Sequence, residues 1–244
     1  MPRGLEARAH TANAASHHHP EAPLTHFHPR PDEHGKPLRL SSPSTPTPLH
    51  RWSSSHEHAT VVPGGPMPPV LNGLAVERWT EAPRTHQGWD TLAAASPVCE
   101  PSFDRPPGFK AAAGAVVMEP DGRFWLVSPS NGFAGYVNTF PKGTVDKGAS
   151  LQATALKEVF EESGLQVRLT AHLADLRRSQ SYTRYYLARR VGGHPADMGW
   201  ESQAVHLVPR ERLADFLTNS NDAKLLEAIL ALGAASACAG RLGP

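Results

Sequence analysis

The sequence predicts an α+β fold, a mixed-sheet sandwich preceded by a disordered tail. Three observations carry this. From Lys110 onward, short apolar runs bounded by turn residues mix with amphipathic segments, without the regular strand–helix–strand repeat of a parallel sheet. Ten of the 14 histidines lie in the first 60 residues and 13 of the 24 prolines in the first 69, where aliphatic residues are few and never recur at a helical or strand period. Such a stretch buries too little apolar surface to offset its ordering cost, so residues 1–69 read as disordered. No run of 18 apolar residues is present, which excludes a transmembrane helix.

The elements follow in order. Residues 70–108 are an irregular extension expected to pack on the domain, with a short strand over 74–79 and two tryptophans, Trp79 and Trp89. Residues 111–118 are small and apolar and run into Glu119-Pro120-Asp121-Gly122, a turn sequence; residues 123–127 resume as a strand, giving a hairpin. A polar loop follows, then a short strand over 136–140 stopped by Pro141. Ser150 is a suitable N-cap for a helix reaching Ser163, with Gly164 as its stop. Residues 165–176 and 181–191 read as long strands, 204–208 as a further strand, and 209–217 and 221–232 as helices. The domain is placed at 109–233, with a flexible C-terminus over 234–244.

Charge narrows the function. There are 24 Lys and Arg against 23 Asp and Glu, so no bulk positive charge exists to coat nucleic acid. Cys99 and Cys238 show no metal-ligand spacing and make no disulfide framework; a reducing, cytoplasmic setting is expected. His17, His18 and His19, and the pairs His26/His28 and His56/His58, are arranged as weak chelators in a flexible tail, read as solvated low-complexity sequence.

The chemistry concentrates on the helix 150–163. With Glu158 at 0° on a helical wheel, Glu161 falls at about 300° and Glu162 at about 40°, while Leu156, Val159 and Phe160 fall on the opposite side. Three carboxylates near a helix C-terminus repel one another and oppose the helix dipole. A hard divalent cation such as Mg²⁺, or Mn²⁺, accounts for them.

From Gly143 the chain reads GTVDKGASLQATALKEVFEESGL. This resembles the Nudix box, G-x5-E-x7-R-E-U-x-E-E-x-G-U with U aliphatic. Gly143, Glu158, Val159, Glu161, Glu162, Gly164 and Leu165 match in register, and Phe140-Pro141-Lys142-Gly143 resembles the loop entry of many members. Ala149 stands where the pattern has Glu, and Lys157 where it has Arg; Lys is a point charge rather than a bidentate fork, so reduced activity is expected. The resemblance covers roughly residues 109–232. It implies a Nudix-like α/β/α sandwich and Mg²⁺-dependent hydrolysis of a nucleoside-diphosphate-linked substrate. In that reading Glu158 and Glu162 are metal ligands with Glu161 sharing, the Gly143 carbonyl is a further ligand, and Glu158 or Glu201 is the base.

Lys142, Arg184 and Tyr182 are the expected substrate-binding residues, whereas Arg177 and Arg178 read as solvated strand-end charges. Tyr182 lies 17 positions after Leu165, as in dinucleoside-polyphosphate hydrolases of the family, and the proline that ADP-ribose hydrolases carry about 16 positions on is absent. A dinucleoside polyphosphate is therefore the expected substrate. Diphosphoinositol polyphosphates, another nucleoside-diphosphate conjugate, and a nucleotide-binding sensor or scaffold role are the alternatives. The expected partner is a small nucleotide or polyphosphate, with no stable nucleic-acid complex and no membrane. Oligomeric state is left open.

Overall fold

A computed structural model describes residues 26–40, 42–132 and 135–239, with side chains of the last helix described through residue 232. The elements in chain order are β1 (His26–Phe27), β2 (Arg39–Leu40), β3 (Ala59–Val61), β4 (Val70–Leu71), β5 (Leu74–Ala75), α1 (His86–Ala94), β6 (Lys110–Met118), β7 (Phe124–Pro129), β8 (Lys142–Thr144), α2 (Leu151–Ser163), β9 (Leu165–Arg177), β10 (Ser181–Gly193), β11 (Ser202–Val208), α3 (Leu213–Phe216) and α4 (Ala223–Ala239). A seven-stranded sheet runs β3-β11-β7-β6-β10-β9, and β8 pairs with β6 as well. β10 is parallel to β6 and the other pairings are antiparallel, so the sheet is mixed.

Period-two alternation turns the central strands into two cores. Ala113, Ala115 and Val117 of β6, with Trp125 and Val127 of β7, face α2; Val116, Phe124 and Leu126 face Leu213, Leu225 and Ile229. The result is the expected α/β/α sandwich. α2 begins where Ser150 accepts a hydrogen bond from the Ala153 amide at 3.1 Å and ends at Gly164, whose φ of 69° suits a residue without Cβ. It buries Ala153, Ala155, Leu156 and Val159 against the sheet, at roughly 1.5–3 kcal/mol for each large side chain. Phe160 meets Trp79 and Trp89 at ring-centroid distances of 5.2 and 5.9 Å, which fastens the segment before the domain onto α2.

Several expectations change. Residues 1–25 and 41 of the expected tail lie outside the described residues, as do His17, His18 and His19. The stretch from residue 42 to 69 is not tail-like: β3 pairs with β11 as a sheet edge, and Trp52 is buried against Trp125 at 5.9 Å. Arg123 donates to the carbonyl oxygens of Arg51 and Trp52 at 3.2 and 2.6 Å. A short strand that borrows its ladder from an existing sheet, plus one well-placed indole, meets the ordering cost without any periodic pattern. His28 is also buried, and its ring bonds the Ser202 carbonyl at 3.0 Å.

Within 70–108 the strand expected over 74–79 is only Leu74–Ala75, paired with Val70–Leu71, and the segment contains a helix, α1, whose N-cap Thr85 accepts from the Gly88 amide at 3.1 Å. Residues 136–140 form no strand; Thr139 makes a single bridge to Val127. The helix expected over 209–217 shrinks to α3 after a 3₁₀ turn, and α4 runs through Ala239 into the expected flexible end, of which 240–244 lie outside the described residues. No helix among the described residues is long and apolar enough to cross a membrane.

Candidate active site

α2 delivers the acids. Glu158 and Glu162, one turn apart on its flank, are both buried. A third acid comes from the loop before β11. There the Gly199 amide donates to the Glu161 carbonyl at 2.7 Å, closing the loop onto the end of α2, and the Ser130 amide donates to the Glu201 carbonyl at 2.7 Å. A Cβ at Gly199 would overlap the Glu161 carbonyl oxygen, so glycine permits that approach. One carboxylate oxygen each from Glu158, Glu162 and Glu201 lies within 4.8 Å of the others.

Three such acids resist ionising together. The Glu158 carboxyl is pushed up to about 7 by burial, then by the charges of Glu161 and Glu201, with Lys157 opposing. Glu162 is raised too, by burial first and then by Glu158 and Glu201, against the pull of Lys142. Glu201, though exposed over much of its surface, is shifted upward by local desolvation and by Glu161. A divalent cation would relieve this repulsion, and an all-oxygen donor set suits a hard one. Gly143 of β8 adds a fit of its own: a Cβ there would overlap the Glu158 carboxylate, so the missing side chain leaves room for the acid.

Glu161 is not part of this cluster. Its carboxylate, 49% exposed, pairs with Lys157 at 2.9 Å, and Lys157 also reaches Glu158 at 3.5 Å. The i, i+4 geometry of Lys157 and Glu161 favours that pair over the cluster. Asp146 comes within 4.0 Å of Lys157, an acid near the lysine although Ala149 supplies none.

Glu162 and Glu201 open onto a cleft of about 360 Å³, lined also by Lys142, Gly143, Tyr136, Thr139, Arg178 and Trp200. Lys142 lies where expected, its ammonium 5.3 Å from the centre of the Tyr136 ring. Arg184 does not reach the cleft. It is buried, bonded to Asp175 at 2.7 and 2.6 Å and to the carbonyl oxygens of Pro101 and Ser102 at 3.0 and 3.2 Å. Tyr182 is also elsewhere, packed on Phe103 at 5.2 Å. Both point to the extension before the domain, whose packing the spacing of β10 residues does not reveal.

Arg178, read from sequence as a solvated charge, is buried at the cleft wall; it donates to the Tyr136 hydroxyl at 2.6 Å and pairs with buried Asp222. Asp222 follows Arg178 by 44 residues, and no local pattern links the two. Trp200 also lines the cleft, and a single tryptophan in a loop carries no periodic signal in the sequence.

A mixed sheet between helices, with acids of one helix and one loop gathered beside a cleft, is the architecture of a Nudix fold. The chain belongs to the Nudix family: the model of the NUDIX domain matches residues 108–229. The chain is 32% identical over 99 residues to an RNA pyrophosphohydrolase of Caulobacter vibrioides, covering 40% of this chain and 54% of that protein. It is 32% identical over 84 residues to an RNA pyrophosphohydrolase of Shewanella loihica, covering 34% and 45%. The chain thus spans about half the length of the curated relatives it matches. Among solved structures, an Ap4A hydrolase of C. elegans aligns with TM-score 0.43 and 22% identity over 52% of this chain and 98% of that one. An ADP-ribose pyrophosphatase of Streptococcus suis aligns with TM-score 0.42 and 22% identity over 51% and 91%.

Proposed function

We propose that the protein is a divalent-metal-dependent pyrophosphohydrolase that cleaves a phosphoanhydride bond in a nucleotide carrying an extended phosphate chain. The observation that carries this reading is the convergence of Glu158, Glu162 and Glu201, two of which line the cleft. These three acids would hold Mg²⁺ or Mn²⁺, with the Gly143 main-chain oxygen as a further ligand. When bound, the ion supplies charge neutralisation at phosphate oxygens and acidifies a coordinated water.

The chain's own residues supply the rest. Lys142 offers a compact positive charge to a phosphate oxygen beside the acids. Glu201, the most solvent-open of the three, is the base proposed to take the proton of the attacking water, with Glu158 as the alternative. Lys157 restrains Glu158, and Glu161 holds Lys157, so Glu161 acts by positioning.

Dinucleoside polyphosphates remain within the proposed class, but Tyr182 no longer argues for them because it is packed away from the cleft. The two RNA pyrophosphohydrolase relatives favour a second substrate, a 5′-polyphosphorylated RNA end. Phosphate and mononucleotide release from diadenosine tetraphosphate and from 5′-triphosphorylated RNA, with Mg²⁺ and with EDTA, tests the reading. Glu158→Gln is expected to reduce metal-dependent turnover at least about a hundredfold, comparable to loss of a principal catalytic group. Glu161→Gln should cost much less. Turnover that persists unchanged in EDTA, or in Glu158→Gln, would refute the assignment.

A further inference from the structure

We propose that Trp200 is the platform on which the substrate's nucleobase stacks, an inference that rests on the nucleotide reading above. Trp200 is half-buried and lines the same cleft as Glu162 and Glu201, one residue before Glu201. Among the described residues its indole makes no hydrogen bond and no ring contact, whereas Trp52, Trp79, Trp89 and Trp125 each pack against another ring. Tyr136, the other aromatic residue of the cleft wall, is already engaged: its hydroxyl accepts from Arg178, and its ring lies against Lys142.

The part of the indole that lines the cleft meets no other ring among the described residues, so its face is open to a planar ligand. Its backbone is held in place by the Gly199 amide on the Glu161 carbonyl and by the Ser130 amide on the Glu201 carbonyl, so the indole is positioned relative to the acids rather than swinging on a loose loop. Lys142, with a divalent ion held by the acids, would select phosphate in this cleft, and the flat π-face that lines the same cleft would select a planar base. An inositol or a bare polyphosphate has no such group to offer. The chemical class this site takes is therefore a nucleoside polyphosphate, recognised through its base with little preference for which base, since every base has a π-face.

The experiment measures binding by wild type, Trp200→Leu and Trp200→Phe in Ca²⁺. The two probes are ATP and inorganic tripolyphosphate, followed by calorimetry, with circular dichroism as the fold control. Trp200→Leu is expected to weaken ATP roughly five- to hundredfold and leave tripolyphosphate unchanged, and Trp200→Phe to restore much of the ATP affinity. Indole fluorescence should be quenched by ATP in wild type, and that response should vanish in Trp200→Phe. Equal ATP affinity in wild type and Trp200→Leu, or equal weakening of both probes, would overturn the stacking role while leaving the hydrolase reading intact. Failure of wild type to bind either probe would overturn both.

Discussion

Asp222→Asn removes one charge from a buried ion pair at a residue that does not itself line the cleft, although its partner Arg178 does. Asp222 is 0% exposed and Arg178 5%, and the guanidinium donates to Asp222 Oδ1 and to Tyr136. Taking away one member of such a pair leaves the other charge desolvated, at a cost of about 3–5 kcal/mol. Asparagine keeps the shape and one acceptor oxygen, so the lower end of that range is expected. For a domain of this size each kcal/mol moves the melting temperature by about 2–4 °C, so the variant should melt roughly 6–12 °C lower. Arg178→Met should cost as much or more, because Tyr136 also loses its donor. The double variant Arg178→Met/Asp222→Asn leaves no buried charge and should cost clearly less than the two singles added together. Denaturant unfolding of the four proteins closes the cycle. A single-variant loss below about 1 kcal/mol, or simple additivity, would show that the pair does not act as a buried ionic unit.

Other consequences follow from the same geometry. Trp52→Ala should destabilise by about 3–5 kcal/mol, because the indole is 1% exposed; a change within 0.5 kcal/mol in urea unfolding would return residues 42–61 to the status of a tail. Gly143→Ala should displace the Glu158 carboxylate, cutting metal-dependent turnover and Mg²⁺ affinity while the far-ultraviolet circular dichroism stays native; unchanged Mg²⁺ affinity would contradict the close approach.

His206 is buried among Thr60 and Ser128, and burial, followed by the charge of His58, holds its ring at about 4 against an ordinary 6.5. The unfolded chain takes up the proton first, so this group's contribution is complete above pH 6.5 and is lost as the pH falls to 4, by about 3 kcal/mol in all. His206→Gln should therefore flatten the acid limb of stability against pH relative to wild type; identical slopes would show that the ring does not titrate in this way.

Much of the domain was legible because its signals are local. The short apolar runs of β6 and β7, the Glu119–Gly122 turn, the Ser150 cap and the Gly164 stop each act within a few residues, and the physics that sets them is short-ranged. The acidic flank of α2 was legible for the same reason, since i, i+4 spacing alone places Glu158 beside Glu162.

Only the tertiary structure decided the rest. Whether Glu161 or Glu201 joined the other two acids depended on a backbone bond from Gly199 to the end of α2, across 38 residues of chain. Arg178 became a buried cleft residue because Asp222 arrives from a distant turn, and Arg184 was withdrawn from the cleft by Asp175 on the neighbouring strand and by carbonyl oxygens of the extension. Sequence periodicity reports which face of an element is apolar; it carries no information about which distant polar group will meet that element. Burial of charge is decided by such meetings, because a charged group enters the interior only where a partner is already in place.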